Sequence, residues 1–243
     1  MSSETIAGPG TPAAYWSVAG LAEGARLVLP AMPVMGLFAF AFGTFAVQKG
    51  LDLSVATLMS AIMFAGASQF VAAEAWGNSQ SMAGILTLVM FTAMVNLRFL
   101  LMSASMRPWL GGLPAWQSYP ALAVLTEPGW LIGLRYRASG GADAAIVLGG
   151  GIAFWLIWVI GTQAGFLFGM FFSDPKRFGI DLVMPLFFIV VLVPLWRGPR
   201  RATPWAVAGI VALLAAEFIP GQWYIMAGAI AGCVTGGFID ERA

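Results

Sequence analysis

Histidine is absent from the 243-residue chain, and cysteine occurs once, at Cys233. The first absence excludes imidazole metal ligands, serine–histidine chemistry and histidine proton relays. The second excludes a disulfide framework and a thiolate metal site, so neither a metal nor a cofactor is expected. Charge is scarce as well: Asp, Glu, Lys and Arg make up 9% of the residues, against roughly 25% in a soluble domain. A net charge of +1 offers nothing to nucleic acid. What remains is 60% hydrophobic with a mean hydropathy of +0.86, and it is arranged in long blocks rather than short alternations. Strands of a membrane barrel alternate apolar and polar residues. The blocks instead predict an all-α, polytopic membrane protein.

Residues 1–25 read as a flexible tail with Tyr15 and Trp16 as interfacial anchors. The tail has no basic region followed by a short apolar core, so it does not read as a signal peptide. Residues 26–243 read as one transmembrane domain. Candidate spans run Val28–Val47, Val55–Trp76, Met82–Met106, Leu113–Leu134, Ala144–Phe172, Leu182–Trp196, Trp205–Phe218 and Trp223–Phe238. Seven or eight crossings are expected, with the fourth and the last two short, tilted or re-entrant. With eight spans, Arg26, Arg135, Arg137, Arg197, Arg200, Arg201 and Arg242 share the N-terminal side, and Lys49, Arg107, Lys176 and Arg177 the other. That bias favours a cytoplasmic N-terminus. The loop Ala138–Asp143 divides the chain into comparable halves and leaves room for an internal repeat, although no self-similarity is visible. Pro30, Pro33, Pro128 and Pro185 mark expected helix breaks, each with a simple kink as the alternative.

Three groups of polar residues interrupt the apolar runs. "FAGASQFV" places Gly66, Ser68 and Gln69 in the second span. Gln69 either bonds a neighbouring helix or contacts a ligand directly beside exposed Gly-Ala-Ser backbone. "NLRFLLMSASM" carries Asn96 and Arg98, which lie about 200° apart on a regular helix and so cannot line one cavity. Arg98 stands nine residues before Arg107. Snorkelling, an ion pair, and a ligand or gating contact are its three readings. "LTEPGWL" offers Thr126 and Glu127 just before Pro128. Glu127 is the candidate partner of Arg98, or a proton carrier. Glu74 and Glu217 lie nearer span ends and read as interfacial.

These three stretches, in this order and spacing, resemble the AzlC family, the large subunit of bacterial branched-chain amino-acid exporters. "DLVMPLFFIVVLVPL" is similar to that family's apolar span with an internal proline. The likeness extends from about Arg26 to Phe238. Two departures stand out: Phe99 occupies the place of a usual histidine, and Glu127–Pro128 the place of two acids. The resemblance implies an exporter in the bacterial inner membrane that works with a small AzlD-type (YgaH-like) membrane subunit. An amino acid is the substrate it implies, and a higher oligomer stays open. On that reading Arg98 is a candidate for the substrate carboxylate and Glu127 for its ammonium or a proton. A passive channel, or a membrane subunit whose path a partner shapes, is the alternative. A channel would need a continuous polar lining, which the scattered polar positions do not supply. An enzyme is not expected. "LGGGIAF" at Leu148–Phe154 lacks the lysine and the strand of a phosphate-binding loop.

Overall fold

The computed structural model describes residues 13–78, 81–171, 196, 198–219 and 223–240. The described residues are helical, with one isolated bridge between Tyr15 and Asp143 and no sheet. The chain divides into two compact units, Met1–Val183 and Met184–Ala243, where one domain was expected over 26–243.

The first unit starts earlier than its apolar run. Ser17 caps α1 (Val18–Val28), its hydroxyl accepting from the Gly20 amide at 2.9 Å. Residues 18–25 are therefore helix rather than tail. Pro30 sits in a 3₁₀ turn, Leu29–Ala31, and Pro33 in the first turn of α2 (Met32–Gln48). The 3₁₀ turn interrupts the α-helical ladder where the prolines stand, while Val18–Gln48 taken together is long and apolar enough to cross a bilayer. Two others are long enough to cross a bilayer: α5 (Met82–Leu110) and α8 (Ala145–Met170). α1–α2 and α8 run side by side in the same direction. Gly24 meets Ile146 near one end, Gly36 meets Ile157 midway, and Gly169 lies against Thr44 and Val47 near the other. A Cβ on Gly149 would overlap the Leu21 carbonyl, and one on Gly165 the Phe40 carbonyl. The glycines of "LGGGIAF" thus serve close helix packing. The Tyr15 end is called proximal below and the Lys49 end distal.

The second candidate span does not cross. α3 (Leu53–Leu58) leads into a π-helical turn, Met59–Met63, and α4 (Gly66–Glu74) follows a break at Phe64 and Ala65. Phe64 is left-handed, at φ 37° and ψ 44°, which reverses the chain. The chain enters beside Lys49 and returns to it, with Glu74 Oε2 2.7 Å from Lys49 Nζ. Between these ends the Gln69 amide donates to Ser60 at 3.0 Å, across the hairpin. This is a re-entrant hairpin opening on the distal end.

α5 then runs back, and its Trp109 indole donates to the Ala142 carbonyl at the proximal end, at 3.4 Å. α6 (Ala115–Ala123) and α7 (Glu127–Ala138) form a second hairpin. It enters where Ser118 bonds the Leu110 and Leu113 carbonyls and returns where Tyr136 lies against Trp109. Its break, Val124–Thr126, precedes Glu127 and Pro128, which stand in the first turn of α7. The order of long helix then hairpin occurs twice with opposite sense, dividing between Glu74 and Met82 rather than at Ala138–Asp143. The second and fourth candidate spans thus return to the end they came from, and three helices among the described residues are long and apolar enough to cross a bilayer. Arg107 also changes sides, joining Arg135 and Arg137 at the proximal end.

In the second unit α9 (Pro199–Phe218) pairs antiparallel with α10 (Trp223–Asp240). A Cβ on Gly228 would come within 2.6 Å of the Ala208 carbonyl oxygen, and one on Gly232 within 2.9 Å of the Ala208 side chain and 3.2 Å of the Pro204 carbonyl oxygen. Small residues thus set the approach of two helices. Pro185 and the sixth candidate span before Trp196 lie outside the described residues.

Candidate functional site

The two hairpin tips meet at the middle of the long helices. The first rests on α8 at Gly66, where a Cβ would come within 2.6 Å of the Trp158 ring. The second rests on α8 at Gly151, where a Cβ would approach the Val124 carbonyl oxygen to 2.6 Å. Between them lies a cavity of about 210 Å³. It is lined by Met63, Phe64 and Ala65 of the first tip, Asn96 and Phe99 of α5, and Leu122, Ala123 and Leu125 of the second tip. One water needs only about 10–15 Å³ by the same measure, so a small organic molecule fits. A second void, by Gly24 and Gly133, offers about 10 Å³ and holds nothing comparable.

Asn96 is the polar side chain in that wall. Its Oδ1 accepts from the Ser68 hydroxyl at 2.7 Å, which fixes the amide plane. Among the described residues its nitrogen has no acceptor, so it retains donors for a guest. The uncapped N-terminus of α4 borders the same space at Ala65, with no side chain bonding its first amides. Such an end carries partial positive charge.

Gln69 takes the scaffold reading of the two that were open. It is fully buried, and it accepts from the Trp158 indole at 2.8 Å while donating to Ser60. Ser60 and Thr162 share a further bond of 2.9 Å, and the Trp155 indole satisfies the Ala61 carbonyl at the π turn. Each polar group in this dry cluster has a partner, as burial demands. Gly66 belongs to it by steric necessity, and Ser68 connects it to Asn96. Phe38 and Phe42 pack on Phe70 of α4, closing the cluster from the α2 side.

Arg98 and Glu127 do come together: Nε lies 2.8 Å from Oε1. The Nε–H is buried and not aimed at the carboxylate, so this is a charge pair without a hydrogen bond. The two side chains are 37% and 51% exposed, and neither lines the cavity. The geometry therefore separates Arg98 from Asn96, as the helical spacing demanded. Thr126 accepts from the Gly129 amide at 3.2 Å and is an N-cap of α7. Pro128 occupies the first turn of that helix.

Four contributors escaped the sequence reading. Ser60 and Thr162 are single hydroxyls in apolar stretches and give no signal of their own. The break at Phe64 carries no proline; its one trace was the run of small residues that follows. Asp143, read as loop, is buried and accepts from Ser17 and from the Ala145 amide, tying the start of α1 to that of α8.

A long helix paired with a re-entrant hairpin, repeated in opposite sense around a central cavity, defines a transporter-like membrane architecture. The AzlC family profile, described as AzlC protein, matches residues 30–172, and the chain belongs to that family. Two relatives from strains of Helicobacter pylori, each described as an uncharacterized membrane protein, are similar to it. One is 27% identical over 191 residues, covering 78% of this chain and 81% of its own. The other is 27% identical over 183 residues, covering 75% and 78%. No solved structure matches. The chain is a multi-pass membrane protein of a family linked to branched-chain amino-acid transport.

Proposed function

We propose that the chain is a secondary transporter that exports branched-chain or similar hydrophobic amino acids, binding them where the two hairpin tips meet. The observation that carries this reading is the central cavity, which sets apolar side chains beside polar surface at Asn96, exposed backbone and the α4 N-terminus. An aliphatic side chain gains by leaving water for the Met63, Phe64, Leu122 and Leu125 surface, at about 25 cal/mol per Å² buried. The substrate carboxylate falls to the α4 amides and the Asn96 amide nitrogen, in the manner of half-helix ends in other transporters. This replaces Arg98, which the cavity does not include. Opposed hairpins suit alternating access, because a tip that withdraws toward its own end opens the cavity to that side while the other stays closed.

The transporter lies in the bacterial inner membrane with its N-terminus in the cytoplasm. Arg107, Arg135 and Arg137 at the proximal end, against Lys49 at the distal end, support that orientation. A small AzlD-type subunit completes the assembly, as the family implies. The test is efflux of radiolabelled leucine from loaded proteoliposomes, with and without the co-expressed small subunit. Asn96→Ala is expected to slow efflux about tenfold, the size of one lost polar contact to substrate. Leucine efflux no faster than from empty vesicles in both preparations would sink the reading.

A further inference from the structure

Phe99 is the residue common to two environments that otherwise stay apart. It lines the cavity, and its ring centroid lies 5.2 Å from the guanidinium carbon of Arg98. Arg98 and Glu127 are absent from the cavity wall, although Arg98 is the next residue in the chain. A guanidinium over an aromatic face is held by the ring quadrupole. The Arg98 Nε–H, buried and unaligned with Glu127, leaves this charge loosely satisfied by its carboxylate.

We propose that Phe99 is the specificity-determining partition of the site: its ring keeps the Arg98–Glu127 pair out of the cavity, so that the cavity accepts apolar side chains and rejects charged ones. This rests on the cavity being the substrate site. With the ring in place, a glutamate side chain entering the cavity would face Leu122, Leu125 and Met63 with no cation in reach. Burying a carboxylate that way is strongly unfavourable. With the ring removed, the same carboxylate gains access to the guanidinium, and the wall that favours leucine loses one of its two phenyl rings. Phe99 acts on selectivity and leaves the carriage of the amino-acid head group to Asn96 and α4.

The experiment is a competition assay in proteoliposomes, with radiolabelled leucine efflux against leucine, glutamine and glutamate, for wild type, Phe99→Leu and Phe99→Ala. Wild type and Phe99→Leu are expected to keep leucine far ahead of glutamate. Phe99→Ala is expected to narrow the leucine-to-glutamate preference by about tenfold or more, the scale on which one pocket contact discriminates. If Phe99→Ala transports too slowly to rank, ligand-dependent thermal shifts of the purified protein give the same ordering, and Phe99→Val supplies a milder cut. A wild-type preference order in Phe99→Ala, by either readout, overturns the proposal while leaving the transport reading intact. Wild-type protein that neither binds nor moves any of these amino acids overturns the transport reading first.

Discussion

The first hairpin is fastened to the rest of its unit by a dry polar cluster, Ser60, Gln69, Trp158 and Thr162, whereas the second is fastened at its tip by a half-exposed charge pair, Arg98 and Glu127. The first cluster is neutral, fully buried and satisfied by bonds of 2.8–3.0 Å. The second contact is charged, lacks hydrogen-bond alignment and leaves both side chains partly open. Neutral buried networks specify one arrangement, because every alternative strands a donor or acceptor. A loosely aligned ion pair tolerates displacement, since Coulomb attraction falls slowly with distance. The second hairpin is also held by the Trp130 indole, which donates to Ser105 at 2.8 Å, so the contrast is one of degree: we expect the first hairpin to be the fixed side of the cavity and the second the more readily displaced.

The strongest way to break that comparison is Gln69→Leu. It keeps the volume and leaves the Trp158 indole and the Ser60 hydroxyl without their partner, at about 1–3 kcal/mol for each stranded group. The largest fall in melting temperature of detergent-purified protein is expected here, with loss of leucine efflux as a consequence. A melting temperature within a degree or two of wild type would show that the cluster is not what fixes the first hairpin.

Next in size is Arg98→Leu. It strands the Glu127 carboxylate midway along α5, and an unpaired charge at that depth costs at least about 2.5 kcal/mol. Removing both charges is a different matter, because an ion pair replaced by apolar residues is often neutral or better. Arg98→Leu with Glu127→Leu is therefore expected to recover most of the lost thermal stability without recovering efflux. Recovery of both would make the pair a structural clamp alone. Recovery of neither would show that the charges hold the second hairpin in place as firmly as Gln69 holds the first.

This pairing was legible in the sequence because its causes are local and general. Arg98 in an apolar run needs a counter-charge, and Glu127 before Pro128 was the acid nearest a break. The 200° separation of Asn96 and Arg98 followed from helix geometry alone, and α5 is regular where both residues sit. The first hairpin was not legible. Val55–Trp76 has the length and hydropathy of a crossing, and its reversal rests on the left-handed Phe64, which composition does not mark. The direction of Gln69 was likewise set by three partners from distant points in the chain. Pro30 and Pro33 stand where a 3₁₀ turn separates α1 from α2 without reversing the chain. Arg107 was placed on the other side because the second span was counted as a crossing.

The smallest effect is expected at the distal opening of the first hairpin, where Lys49 Nζ lies 2.7 Å from Glu74 Oε2 and 5.2 Å from the Phe45 ring centroid. The two side chains are 31% and 47% exposed, so water and salt weaken the bond. Pairs of this kind contribute up to about 1 kcal/mol. Lys49→Met should lower the melting temperature only slightly, and less still at high salt, because the cluster around Gln69 already fixes the hairpin. The charge-reversed pair Lys49→Glu with Glu74→Lys should behave as wild type in both stability and efflux. If Lys49→Met instead raises the efflux rate while stability holds, the contact is a distal latch whose release limits transport. In that event the first hairpin moves too, and the division into a fixed and a mobile hairpin gives way to two gates of unequal strength.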